Sequence, residues 1–249
     1  MQAYFTLTRR ELSSFFVSFM GYAVIAATVF LLGLCMISLI EKLQGDPASI
    51  TVTECFFGFY FWLILLFSAP VITMRLFSLE KYSGTFETLM TTPVSDWQVV
   101  MAKFTAALFF FVVTWLPLAG CILILGYATN NPALIDYNVL GSTYLGIFLL
   151  GCLYMSLGCF ASAMTSSQII AAMTSFALGL GLFILSFIVD QFPIQKTWIT
   201  ETLSYMSMYN HMTDFSRGVI DTRYIVFYLS LTGFFLFLTY RVVESRRWK

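Results

Sequence analysis

The chain has 249 residues, of which 59% are hydrophobic and 18% aromatic while only 10% are charged, and its mean hydropathy is +0.84. Soluble domains carry about 25% charged residues, so a water-soluble fold of this length is excluded. Thirteen basic and thirteen acidic residues cancel, so net charge points to no nucleic-acid or acidic partner.

At the N-terminus, Thr8 and Glu11 have capping-box spacing, and Arg9 and Arg10 stand beside Phe15, Phe16 and Phe19. Bases next to an aromatic face suit a helix lying at lipid headgroups. The run Met20–Ile40 has no charge and no small-residue cleavage site, and it reads as a retained span rather than a signal peptide. About twenty apolar residues cross the hydrocarbon core, and Cys55–Met74 supplies a second such run.

The segment from Arg75 to Lys103 follows. Leu79, Tyr82, Phe86, Leu89 and Met90 form one apolar face at helical spacing, with Glu80, Lys81 and Glu87 off it. This predicts a helix over 79–90, weakened at Gly84 by about 1 kcal/mol relative to alanine. Thr92-Pro93 ends it, because the residue before proline avoids the α region. Ser95 and Gln98 then have capping-box spacing and open a new helix that runs into the third span, Phe104–Tyr127. The pattern is compatible with an interfacial helix of any membrane protein and equally with a docking element.

Between Asp136 and Asp190 lie 53 residues without Asp, Glu, Lys or Arg. As one helix they would extend roughly 80 Å, against a core of about 30 Å. The stretch must therefore fold back, and Ser162–Gln168 is the polar break near its middle, giving spans at Val139–Ala161 and Ile169–Val189. In the fourth span Cys152, Ser156, Cys159 and Ala163 make a small-residue stripe suited to helix packing, while Met155 beside the two cysteines would be the soft-ligand alternative. The five cysteines fall within or at the ends of apolar runs and do not read as a disulfide framework. No metal site is expected.

Over 190–223, Tyr205, Met208, Met212, Phe215 and Val219 recur at helical spacing. They predict a helix dipping its apolar side into lipid, or a solvated loop with one amphipathic turn. Asp214 and Arg217 are spaced to pair, Gly218 to close the helix, and Asp221 to cap the sixth span, Tyr224–Tyr240. His211, the single histidine, reads as a hydrogen-bonding group rather than a metal ligand.

Placing the N-terminus in the cytoplasm puts Arg9, Arg10, Arg75, Lys81, Lys103, Arg241, Arg246, Arg247 and Lys249 inside. Lys42, Lys196, Arg217 and Arg223 fall outside. This asymmetry predicts both termini cytoplasmic. No Gly-rich loop ending in Gly-Lys-Ser/Thr occurs, so this chain has no P-loop for ATP.

The string from Pro70 to Asp96 closely resembles the ABC type-2 permeases. Within them it is most similar to the gliding-motility permease subunits (GldF-like) and the copper-enzyme maturation permeases (NosY-like). Arg75, Glu80, Gly84, Thr85, Glu87, Pro93 and Lys103 match that pattern residue by residue. Thr8–Leu12 with its aromatics, Tyr209–Asp221 and Arg246-Arg247-Trp248 extend the likeness over most of the chain. Many relatives have Ser-Pro where Phe19-Met20 stands here, so the bend into the first span departs from the pattern.

The resemblance implies an all-α integral membrane protein, one permease domain over 1–249. Its six transmembrane helices carry an N-terminal interfacial elbow helix, a coupling helix within 75–103 and an outer re-entrant segment. Arg75, Glu80, Gly84, Thr85, Glu87 and Pro93 would face an ABC ATPase, and His211, Asp214, Arg217 and Gly218 would form an outer gate. The chain itself would be non-catalytic and hold no cofactor, with ATP and magnesium bound by a separate ATPase subunit. It would pair with a second copy or a related permease in the lipid of the bacterial inner membrane. The function implied is export; the alternative is an ATP-driven mechanical or scaffold subunit that moves no solute.

Overall fold

The computed structural model describes residues 2–43, 58–86, 94–128, 136–191 and 205–247. Glu87 and Pro93, the start of the second span at Cys55, and Trp248 lie outside the described residues. Among the described residues the chain is helical, without a strand. Six helices among them are long and apolar enough to cross a membrane, and helices satisfy their own backbone groups as lipid demands.

Helix α1 spans Gln2–Val17 and α2 Phe19–Leu43; α3 is Phe59–Thr73 and α4 the short Ser78–Tyr82. Next come α5 (Asp96–Ala128), α6 (Tyr137–Met164) and α7 (Gln168–Gln191), then the short α8 (Met208–Ser216) and α9 (Thr222–Arg247). Local chemistry sets most of these ends. Ser95 Oγ accepts from the Gln98 N–H and Gln98 Oε1 from the Ser95 N–H, the reciprocal cap that starts α5. Asp136 and Asp221 accept from the N–H two residues on, at 2.9 and 2.8 Å, and start α6 and α9. The fold-back expected near 162–168 is the three-residue break Thr165–Ser167.

The expected cap at Thr8 is not formed. Helix α1 already begins at Gln2, and the Thr8 hydroxyl donates to the Tyr4 carbonyl at 2.9 Å inside the helix. Because the helix already runs through residues 2–7, the Thr–Glu spacing lies mid-helix and has no orphan N–H to satisfy. Phe15 and Phe16 pack on Phe110 of α5, with centroids 5.0 and 5.4 Å apart. Phe19, expected on the same face, opens α2 and is exposed.

Helix α6 is the centre of the bundle. Its span is 83% buried, against 22% for α7 and for α9, and it packs against α3, α5, α7, α8 and α9. Cys152, Met155, Ser156, Cys159 and Ala163 are all buried in it. Close approach to α3 is set at Gly158, where an added Cβ would sit 2.1 Å from Thr73 Oγ1. Small residues permit such backbone proximity between membrane helices.

Candidate functional site

The two regions marked by sequence lie at opposite ends of the bundle. Both termini and the 75–103 segment share one end, because an even number of spans separates them; α8 lies at the other.

At the first end, α3 stops at Thr73, the chain turns through 74–77, and α4 begins at Ser78. Ser162 of α6 holds this turn. Its Oγ accepts from the N–H groups of Phe77 (3.0 Å) and Ser78 (3.2 Å) and donates to the Met74 carbonyl (3.2 Å). Lys81 donates to the Ala163 carbonyl near the C-terminus of α6, where a cation meets the negative end of the helix dipole. The short helix is thus seated on the end of α6.

A charge network then joins α4 to α1 and α5. Glu80 Oε1 lies 3.1 Å from Arg10 and 2.9 Å from Lys103. Glu11 Oε1 lies 3.1 Å from each of the same two cations. Lys103, expected at the loop's edge, is inside α5 and 3% exposed, with its ammonium 5.4 Å from the Phe77 ring centroid. Arg75 donates to Ser18 Oγ at 2.8 Å, at the corner between α1 and α2.

The helix expected over 79–90 is not continuous. It ends at Ser83, and Gly84 takes φ +73°, a left-handed conformation in which a Cβ would be strained. Thr85 Oγ1 lies 2.8 Å from Ser83 Oγ across that turn. Helix resumes at Thr85 and Phe86, and Leu89 and Met90 lie outside the described residues. The apolar spacing persists through the turn, which is why periodicity alone does not register the break at Gly84. Tyr82 points outward, 79% exposed, while Phe86 is buried. Of the residues matched to the coupling pattern, the structure therefore brings Glu80 and Lys103 together and places Arg75 nearby. Gly84 lies in the exposed turn beyond them, and Thr85 is exposed where the helix resumes.

Ser162 carried no site signal in the sequence beyond lying in the polar break. Lys81 and Glu11 are likewise ordinary surface residues by composition. Each has a partner more than 80 residues away in the chain, beyond the reach of any periodicity.

At the far end, α8 lays Met208, Met212 and Phe215 against the bundle, while Tyr205 and Val219, expected on the same stripe, are exposed. The buried side faces α6 rather than lipid: Ser142 donates to the Phe215 carbonyl at 2.6 Å, and Met212 and Phe215 close over Gly146. Gly218 closes α8 with φ +84°. The Val219 N–H reaches the Asp214 carbonyl and the Gly218 N–H that of Phe215, both at about 3 Å, the bonding pattern of a Schellman motif. Asp214 accepts from the Tyr224 hydroxyl at 2.6 Å. Arg217 is exposed at the helix end.

His211 is buried, stacked on Tyr224 with centroids 4.0 Å apart, and its Nδ1 lies 3.4 Å from the Tyr228 hydroxyl. Burial lowers its pKa to about 4; the Tyr205 backbone, Asp214 and Asp221 oppose this only in part. The imidazole is therefore neutral at pH 7. Among the described residues no group of three His, Cys, Asp or Glu converges on a point where a metal could sit.

No curated protein matches this chain. The family model described as ABC-2 family transporter protein matches residues 16–243, from the end of α1 almost to the end of α9. A match across nearly the whole chain, on six helices able to span a membrane, means that the chain belongs to the ABC-2 family of transporter membrane proteins.

Proposed function

We propose that this chain is the membrane-spanning permease subunit of an ABC exporter-type complex, and that the 75–103 segment receives the motion of a separate ATPase subunit. In this reading both termini and that segment are cytoplasmic, as the Lys and Arg asymmetry indicates. The whole chain is one permease domain, non-catalytic in itself, with ATP and magnesium on the ATPase. Two such subunits, identical or related, face each other across a pathway in the inner membrane.

The observation that carries the reading is the seat of α4. The turn at Ser83 and Gly84, with its exposed neighbours Tyr82 and Thr85, offers a contact surface. Behind it, Glu80, Lys81 and the 77–78 backbone are tied by charge-assisted and neutral hydrogen bonds to α1, α5 and α6. A push on the turn is thus delivered to those three helices. Charge-assisted bonds of this kind are roughly twice as strong as neutral ones, so the segment moves with its seat. The GldF-like likeness of 70–96, and α1 as an elbow helix, agree with this role. In this reading His211, Asp214, Arg217 and Gly218, on the segment that covers the far end of α6, would act as an outer gate.

The test is co-purification with the cognate ABC ATPase and measurement of ATP hydrolysis in lipid vesicles. Glu80→Arg and Gly84→Pro should leave the chain membrane-inserted yet lose stimulated hydrolysis. If both variants assemble with the ATPase and stimulate it normally, the coupling role is wrong. Stimulated hydrolysis with no cargo movement, together with binding to a periplasmic machine, would assign the mechanical alternative instead.

A further inference from the structure

Three hollows run end to end from the charged network into the lipid-facing side of the bundle. The first, about 290 Å³, lies between α1, α4 and α5 and is lined by Arg10, Glu11, Arg75, Glu80 and Lys103 with apolar walls at Phe15 and Leu79. It meets a narrow neck at Phe15 and Arg75, and the neck shares Met20, Val24 and Val71 with a third hollow. That third hollow is a cleft of about 210 Å³ between α2 and α3, bounded by Ala27, Leu31, Ile64 and Phe67. Its two hydroxyl groups are turned into their own helices, Thr28 onto the Val24 carbonyl and Ser68 onto that of Leu65. The cleft wall is therefore apolar throughout.

The charge at the polar end is not balanced. Arg10 and Lys103 are each shared between Glu11 and Glu80. Arg75 has no ion pair among the described residues and makes one hydrogen bond, to Ser18, although a guanidinium offers five donors. A half-buried guanidinium at the mouth of an apolar neck favours an anion, and arginine matches phosphate in geometry. Along α2 the cleft extends from Met20 to Leu31, about 17 Å at 1.5 Å per residue, close to one leaflet of a core about 30 Å thick.

We propose that this track binds one phospholipid, with its phosphate on Arg75 at the polar hollow and one acyl chain along the cleft between α2 and α3. The amphipathic order of the track, anion site then neck then apolar cleft, is the order of groups in the lipid itself. A free phosphate would use the first hollow and leave the cleft unexplained. This site does not depend on the ATPase-coupling role, because it requires only the chain and its bilayer.

The experiment uses the full chain in vesicles of phosphatidylethanolamine and phosphatidylglycerol, with a trace of phosphatidylglycerol bearing a diazirine on one acyl chain. After illumination the adducts are mapped by mass spectrometry. They should concentrate on α2 and α3 peptides bordering the cleft rather than on the exposed faces of α7 and α9. Arg75→Gln, which removes charge-assisted bonds, should lower adduct yield there by about tenfold. Ala27→Phe, a substitution on an exposed wall, should fill the cleft and do the same without disturbing the core, and it carries the test if Arg75→Gln does not fold. Adducts spread evenly over α2, α3, α7 and α9, or unchanged yield in Ala27→Phe, would overturn the proposal. So would full displacement of the lipid by inorganic phosphate, which would leave a free-anion site only.

Discussion

Replacing Lys103 by methionine is the sharpest test of the seat beneath α4. The Lys103 side chain is 3% exposed, and its ammonium lies 3.1 Å from Glu11 and 2.9 Å from Glu80, which are 14% and 16% exposed. Removing one partner of a buried pair costs about 3–5 kcal/mol, because the remaining charge stays desolvated without its counterion. Two features place this case at the lower end. The carboxylates keep a little solvent, and Arg10 remains 3.1 Å from both. Lys103→Met is therefore expected to cost about 3 kcal/mol, which for a chain of this length is a fall of roughly 6–12 °C in Tm. Thermal unfolding in detergent, followed by tryptophan fluorescence, measures it. The control is Arg241→Met in the exposed pair with Glu244, which should cost less than about 1 kcal/mol. The double variant Lys103→Met with Glu80→Gln should cost less than the sum of the singles, since one of the two orphaned carboxylates is gone and Glu11 keeps Arg10. A Lys103→Met Tm indistinguishable from that of Arg241→Met would refute the claim that this network holds α4 in place.

Three further outcomes are expected. Gly158→Ala puts a Cβ 2.1 Å from Thr73 Oγ1 and should destabilise by about 1–3 kcal/mol. Gly233→Ala, with nothing within 4 Å, should be neutral or stabilising by up to about 1 kcal/mol; equal Tm values for the two would contradict the α3–α6 packing. Gly84→Ala meets no neighbour but keeps φ +73°, so its cost of about 1–2 kcal/mol is backbone strain alone, visible as faster amide exchange confined to the segment after Tyr82. Because His211 has its folded pKa lowered to about 4, its contribution to the seating of α8 is full above about pH 6.5 and is lost as pH falls toward 4. The loss reaches about 3 kcal/mol. Limited proteolysis around α8 at pH 7.5 and 4.5 should show the difference, and His211→Gln should flatten it.

What could be read from the sequence was whatever depends on near neighbours. The spans follow from apolar run length. The starts of α5 and α9 follow from Ser95, Gln98 and Asp221, whose partners lie two or three residues away, and the close of α8 follows from Gly218. Where a local rule competed with its surroundings it failed: Thr8 had cap spacing inside a helix that had already begun, and the 79–90 periodicity ran straight through the left-handed turn at Gly84. The candidate site was legible only in part. Arg75, Glu80 and Lys103 stood out by resemblance, but Ser162, Lys81, Glu11 and Arg10 acquire their meaning from residues on other helices. Ser142 and Gly146 are the same case at the far end, since nothing near them in the chain announces Phe215.

Helix α6 is gripped at both ends, by the 74–81 turn at Ser162 and Ala163 and by α8 at Ser142 and Gly146. It contains no proline, whereas α3 and α5 carry Pro70 and Pro117. Of the helices packed on it, α3 and α5 therefore have a built-in place to bend, and α6 can act as a straight lever between them. At 28 residues it is roughly 40 Å long. A tilt of about five degrees around its middle would carry each end nearly 2 Å, in opposite directions, for a rod of that length. In the proposed coupling role, a small displacement at one face of the membrane would thereby be converted into an equal and opposite one at the other, without any helix having to unwind.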